Sequence, residues 1–188
     1  IRNLTKNIRK ITKDRNFPIL IDEEGSTVTR LMNIFNHNFD AYLFGNLYKV
    51  NKKVAQILYE NYLTSLSKNL KKIGVNINTI PVLDVLRKNT NKIIGKRSFS
   101  ENKEIVKRLG ETTIRKLHSQ NVATVIKHIP GHGCSSIDSH LSTPRVNLNK
   151  IALNKIDFYP FKSSKAKLAM TAHIIYSKID PRNVATFS

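Results

Sequence analysis

Between Lys127 and His140 the chain reads Lys-His-Ile-Pro-Gly-His-Gly-Cys-Ser-Ser-Ile-Asp-Ser-His, a turn-rich stretch holding three histidines, one carboxylate and two glycines. Asp138 and His140 stand two residues apart, and in extended backbone residues at i and i+2 point to the same side. Carboxylate and imidazole can therefore touch. A carboxylate on one ring nitrogen fixes the tautomer and makes the other nitrogen a better base. The pair is a candidate proton-transfer device; the alternative is an ordinary loop hydrogen bond. His128, His132, Cys134, Asp138 and His140 are also side-chain types that ligate zinc, although their spacing fits none of the usual helical or knuckle patterns. His132, between two glycines, reads as a brace for the loop.

A second acidic group, Asp22-Glu23-Glu24, follows the apolar run Phe17 to Ile21. Adjacent residues on a strand face opposite ways, so Glu23 and Glu24 do not read as a cooperating acid–nucleophile pair.

These groups need elements to hold them. Four apolar runs look like strands: Phe17–Ile21, Val75–Ile80, Val122–Ile126 and Leu168–Ala172. Each leads into polar or charged residues, which are Asp22, the Pro81–Asp84 segment, Lys127-His128 and His173. Asp84 could line a pocket there or cap the next segment. Between the runs lie helical spacings. From Val50 to Ile73 the apolar positions Val54, Ile57, Leu58, Tyr62, Leu66 and Leu70 recur every three or four residues. Ser100 to Gln120 predicts a second helix, capped by Ser100, with Ile105, Val106, Leu109, Ile114 and Leu117 on its apolar side. A shorter helix is expected over Lys155–Lys165, interrupted at Pro160.

The repeating order of strand, polar loop and helix predicts an α/β fold with a parallel sheet and a site at the C-terminal strand ends. Each unit takes on the order of 45–55 residues, and about four fit, against the ~250 residues of a typical eight-stranded barrel. Half of a (β/α)8 barrel and an open four-stranded sheet both satisfy this pattern.

At 188 residues the chain is long enough for one ordinary domain with a core. Its formal charge of +19 comes from 32 basic and 13 acidic residues and raises nucleic acid as a partner. The lysines, however, are spread from end to end beside asparagine and isoleucine, without a dense basic block or an aromatic stacking motif, which argues against that class. One cysteine, Cys134, forms no internal disulfide and fits a reducing cytoplasm. No apolar run approaches the ~18 residues of a membrane span, so no membrane association is expected.

Lys127-His128-x-Pro-Gly-His-Gly followed by Asp138-Ser139-His140 resembles the signature of bacterial β-N-acetylglucosaminidases of glycoside hydrolase family 3, cytoplasmic enzymes of peptidoglycan recycling. Ile21 to Leu31 is similar to the family's Asp-x-Glu-Gly-Gly-Arg-Val-x-Arg segment, and Asn76 to Val85 to its third-strand motif. Ile94-Gly95-Lys96-Arg97-Ser98-Phe99 resembles its Gly-x-Arg-Ser-Phe motif, and Met170 to Tyr176 its fifth-strand segment. Five motifs in one order extend over almost the whole chain.

The resemblance implies a parallel-stranded TIM-type (β/α)8 barrel, about half of it present, with residues 1–188 forming a single incomplete N-terminal barrel domain. It implies a retaining hydrolase of β-N-acetylglucosaminide bonds acting through a covalent glycosyl-enzyme intermediate. His140 would be the acid/base, paired with Asp138; Asp22, Arg30, Arg97, Lys127 and His128 would contact the sugar. A histidine with a pKa near ~6.5 can give and take a proton near neutrality. No metal or cofactor is implied. The expected ligand is an N-acetylglucosamine-containing muropeptide or related β-glycoside.

Two departures stand out. Gly25-Ser26-Thr27 replaces Gly-Gly-Arg, so one glycine and one arginine are lost. The family's nucleophilic aspartate comes from a Ser-Asp element beyond the Met170–Tyr176 segment, and its first strand lies upstream of Ile1, so the isolated chain is expected to be inactive or nearly so. Open strand edges would then favour self-association or a second polypeptide carrying the rest of the barrel. A metal-dependent hydrolase and a non-catalytic basic binding module are the alternatives, and Arg30 and Arg97 could instead be surface or salt-bridging arginines.

Overall fold

The computed structural model describes residues 1–35, 39–138, 141–162 and 164–188. Helix α1 (Arg2–Thr12) leads to strand β1 (Leu20–Ile21), then helices α2 (Ala41–Val50) and α3 (Lys52–Lys72) lead to β2 (Ile77–Asn78). Helix α4 (Lys103–His118) precedes β3 (Ala123–Ile129), and β4 (Arg145–Val146), α5 (Lys150–Lys155) and α6 (Tyr159–Lys162) precede β5 (Leu168–Thr171) and β6 (Ile175–Tyr176). Strands pair in the order β1-β2-β3-β5, every pair parallel, so the polar residues that follow each strand gather at one end of the sheet. The expected α/β architecture is present. Strands β4 and β6 form a separate parallel pair, and a small apolar cluster of Val146, Leu153, Ala172, Ile174 and Tyr176 lies with it.

Strands β1 and β2 are shorter than their apolar runs because asparagine side chains take over from the backbone ladder. The Ile19 amide donates to Asn76 Oδ1 (2.7 Å), and Asn76 Nδ2 donates back to Phe17 O (3.1 Å). One step on, the Glu23 amide donates to Asn78 Oδ1 (3.1 Å) while Asn78 Nδ2 donates to Glu23 O (2.8 Å). These side-chain amides reproduce the donor–acceptor exchange of a ladder and fix how β1 delivers its acidic residues.

Helix α3 starts where the Asn51 side chain accepts from the Val54 amide, and it buries Ala55, Tyr59, Leu63, Leu66 and Leu70. That corrects the apolar side read from the sequence: Val54, Ile57 and Leu58 are about half exposed. Tyr59 is inside because its hydroxyl meets the Thr113 hydroxyl of α4 (2.7 Å), a buried polar pair that satisfies both groups. Helix α4 is capped by Asn102, whose side chain accepts from the Glu104 amide, and not by Ser100, whose hydroxyl accepts from the Asn102 amide instead. Val106, Leu109, Ile114 and Leu117 are buried as the spacing predicts. Lys155–Lys165 is not one helix; α5 ends at Lys155, and Pro160 sits in the first turn of α6, where its missing N–H costs nothing. Among the described residues no helix is long and apolar enough to cross a membrane.

Candidate functional site

Asp22 follows β1, Thr79 follows β2, and Lys127 and His128 lie near the C-terminal end of β3. Arg97 closes the 3-10 turn Gly95–Arg97 on the connection to α4. The two glutamates beside Asp22 do face opposite ways. Glu23 is buried; its carboxylate accepts from Thr29 Oγ1 (2.6 Å) and from the Arg30 and Leu31 amides (2.7 and 3.0 Å), so it ties down the Gly25–Leu31 turn. Glu24 points toward the strand ends, where both Arg97 and Lys127 reach it.

Lys127 is buried to 1% exposure of its side chain, an expensive place for an ammonium unless it is fully paired. It donates to Asp22 Oδ1 (2.6 Å) and to Thr79 Oγ1 (2.9 Å) and forms an ion pair with Glu24. Thr79 in turn donates to Asp22. Burial pushes the Asp22 carboxyl up, but the bonds from Lys127 and Thr79 and the charges of Lys127 and Arg97 outweigh it and hold the group below its ordinary value. Arg97 donates through Nε and Nη2 to the two oxygens of Glu24 (2.7 and 2.8 Å) and through Nη1 to Ile93 O (2.9 Å). Burial disfavours its charge, yet the Glu24 hydrogen bonds and charge raise its pKa above the ordinary guanidinium value. Arg30 stands apart: it is exposed and only 4.0 Å from Asp22 Oδ2 at its nearest.

The loop after β3 hangs on Asp84, which resolves its open reading in favour of a strut. Asp84 is completely buried; Oδ2 meets His128 Nδ1 (2.7 Å), and Oδ1 accepts from the His132 amide (2.6 Å) and the His128 amide (3.3 Å). Burial works against the charge, but His128 and the His132 amide win and lower the Asp84 pKa. An ionised Asp84 needs a donor at Nδ1, which leaves the Nε2 of a neutral His128 as an acceptor. His132 is buried beside it, with ring centroids 5.8 Å apart, and burial lowers its pKa despite the Asp84 charge, so its ring is neutral near pH 7. Both glycines of the loop are required. Gly131 has φ +141°, and its carbonyl accepts from Tyr176 Oη (2.7 Å). Gly133 lies so close to Val85 that an added Cβ would fall 1.8 Å from that residue's carbonyl oxygen.

A cavity of about 300 Å³ opens at these strand ends, with Arg97, His128, His132 and His173 on its wall beside Ile93, Met170 and Ala172. Polar donors set in an apolar wall of this size suit one small ligand. A larger hollow of about 600 Å³ beside α4, lined by Arg108, Glu111, Arg115 and Lys165, contains none of the motif residues.

The structure thus gathers Asp22, Arg97 and Lys127 into one charge network, sets His128 beside Arg97 at the cavity, and leaves Arg30 at the rim. Asp138 is half-buried in the loop, and His140 lies outside the described residues. Among the described residues no group of three or more histidine, cysteine or acidic side chains is placed to hold a metal. Two participants escaped the sequence reading. The sequence alone does not single out Glu24 and leaves two roles open for Asp84; the alternation of Glu23 and Glu24 is the signal for the first.

The profile of the glycosyl hydrolase family 3 N terminal domain matches residues 3–188. Beta-hexosaminidase A of Pseudoalteromonas piscicida is 34% identical over 171 residues, which span 88% of this chain and 28% of that protein. The beta-hexosaminidase of Alkalilimnicola ehrlichii is 33% identical over 193 residues, spanning all of this chain and 54% of that protein. The chain therefore spans about half the length, or less, of these curated relatives. The structure of NagZ from Neisseria gonorrhoeae, in complex with N-trifluoroacetyl-D-glucosamine, superposes on 100% of this chain and 56% of its own with a TM-score of 0.91 at 28% identity. The parallel sheet is accordingly part of a barrel of that kind, and the chain belongs to glycoside hydrolase family 3, matched over that family's N-terminal domain.

Proposed function

We propose that this chain carries the sugar-recognition and proton-transfer portion of a retaining β-N-acetylglucosaminidase. The observation that carries the reading is the convergence of Asp22, Arg97, Lys127 and His128 at the C-terminal ends of parallel strands, next to a cavity of about 300 Å³. Asp22, held ionised and partly exposed, accepts from sugar hydroxyls. Arg97 donates to hydroxyl or acetamido oxygens, and His128 offers Nε2 on a ring that Asp84 keeps from turning. Arg30 reaches the sugar from the rim, and Lys127 acts from beneath.

In the reaction, His140, steered by Asp138, delivers a proton to the bridging oxygen while a carboxylate attacks the anomeric carbon. It then takes a proton from the water that opens the glycosyl ester. The nucleophilic carboxylate is assigned to no residue of 1–188. A second polypeptide supplying it would complete the site. The substrate is a β-linked N-acetylglucosamine conjugate of the muropeptide class, turned over in peptidoglycan recycling in a reducing cytoplasm, which the single cysteine suits.

The test is release of a chromophore from a β-N-acetylglucosaminide, by the chain alone and mixed with a polypeptide matching the part of a relative that it does not cover. Little or no release alone, release on mixing, and loss of that release in His140→Ala and Asp138→Ala support the reading. A folded mixture that releases nothing, or full activity in His140→Ala, contradicts it.

A further inference from the structure

We propose that Glu24 is the positioning residue of the sugar site, a single buried carboxylate that aims Arg97 and anchors Lys127; the inference rests on the sugar-binding reading above. Arg97 has five N–H donors. Two go to Glu24 in a parallel fork and one to Ile93 O, which leaves two on a side chain that forms part of the cavity wall. The fork fixes the guanidinium plane, so the direction of those two donors is set by Glu24 and not by the sugar. Lys127 has three donors, and Asp22, Thr79 and Glu24 surround its nitrogen. The side chains of Glu24, Arg97 and Lys127 are 4%, 9% and 1% exposed, so none of the three can exchange its partner for water.

Removing the Glu24 charge leaves two buried cations, Lys127 still bonded to Asp22 and Arg97 with only the charges of Asp84 and Asp22 near it. Asp22 is then drawn off its sugar-facing position while Arg97 loses its fork. Glu24 can hold both cations because its own backbone is fixed. Its amide donates to Val28 O (2.8 Å), and the next residue, Gly25, turns at φ +86° where an added Cβ would lie 2.3 Å from Phe39 O.

The experiment uses the full 188-residue chain as wild type, Glu24→Gln and Glu24→Asp. Hydrogen exchange of the Arg97 Nε–H is followed by NMR, with the Arg87 Nε–H, held on Asp157 (3.3 Å), as the internal control. N-acetylglucosamine is titrated into each protein. In Glu24→Gln the Arg97 exchange speeds up at least about tenfold with Arg87 unchanged, and sugar affinity falls at least about tenfold, the scale of one charge-assisted bond. Glu24→Asp keeps the charge one methylene short and recovers part of both, and it decides the matter if the glutamine variant does not fold. Arg97 exchange that stays at the wild-type rate in a folded variant overturns the proposal. So does wild-type sugar affinity in a variant whose Arg97 has been released. If wild type binds no sugar, the sugar reading fails, and Arg97 exchange still decides whether Glu24 sets the guanidinium.

Discussion

Asp84→Ala removes the one group from which the His128 ring and the His132 backbone both hang. Three bonds go: the His128 Nδ1 contact at 2.7 Å, the His132 amide at 2.6 Å and the weaker His128 amide at 3.3 Å. Hydrogen bonds to a charged group contribute about 1.5–3 kcal/mol each, but bonds sharing one acceptor are not additive. Deleting one partner of a fully buried charged cluster costs about 3–5 kcal/mol, which we take as the total. For a chain of this size each kcal/mol moves the melting temperature by about 2–4 °C, so the variant melts roughly 6–20 °C lower. Asp84→Asn is milder, at about 1–3 kcal/mol, because its Oδ1 still accepts from both amides. Its amide N–H now meets His128 Nδ1, so the ring gives up that proton and carries it on Nε2. Calorimetry reads the stability and imidazole ¹⁵N shifts read the tautomer. Asp84→Ala within about 1 kcal/mol of wild type, or an unchanged tautomer in Asp84→Asn, refutes the strut.

Lys127→Met raises the Asp22 pKa, since burial, which pushes that carboxyl up, then works against the Thr79 bond and the Arg97 charge alone; ¹³C titration of the carboxyl measures it. The sign carries over to stability. A carboxyl whose folded pKa lies below its unfolded value stabilises the fold above the unfolded pKa and loses that contribution as pH falls through the folded one. Wild type therefore loses stability on acidification below the ordinary carboxylate range more steeply than Lys127→Met does, in paired urea melts. Gly133→Ala forces a methyl to within 1.8 Å of Val85 O; the loop must shift, at about 1–3 kcal/mol or more, and the His132 and Cys134 amide resonances move. A Gly133→Ala protein with wild-type stability and unmoved loop resonances contradicts the close approach.

Strand β3 was legible because Val122–Ile126 is a short run rich in β-branched residues in which only Thr124 is polar. β1 and β2 were legible as runs but not as lengths, since nothing local shows that Asn76 and Asn78 will replace ladder bonds with side-chain amides. Helix α3 shows how periodicity identifies a helix without its orientation. It carries two apolar stripes, and the buried one is chosen by what α4 offers Tyr59. In the site, Asp22, Arg97, Lys127 and His128 were found through motif resemblance, and the structure brings them together. Glu24 and Asp84 were not, because their partners lie 73 and 44 residues away and their role exists only once the strands align. Asp138 and His140 read as a local pair from their spacing, whereas the contact of Asp84 with His128 is long-range and unreadable from spacing.

The most direct measurement is an NMR titration of N-acetylglucosamine into the 188-residue chain, following the side-chain signals of Asp22, Arg97 and His128. The account predicts saturable shifts at all three, absent in Arg97→Ala and weaker with glucose, which lacks the acetamido group. Shifts confined to the α4 hollow, or none at these three residues at saturating sugar, would contradict it.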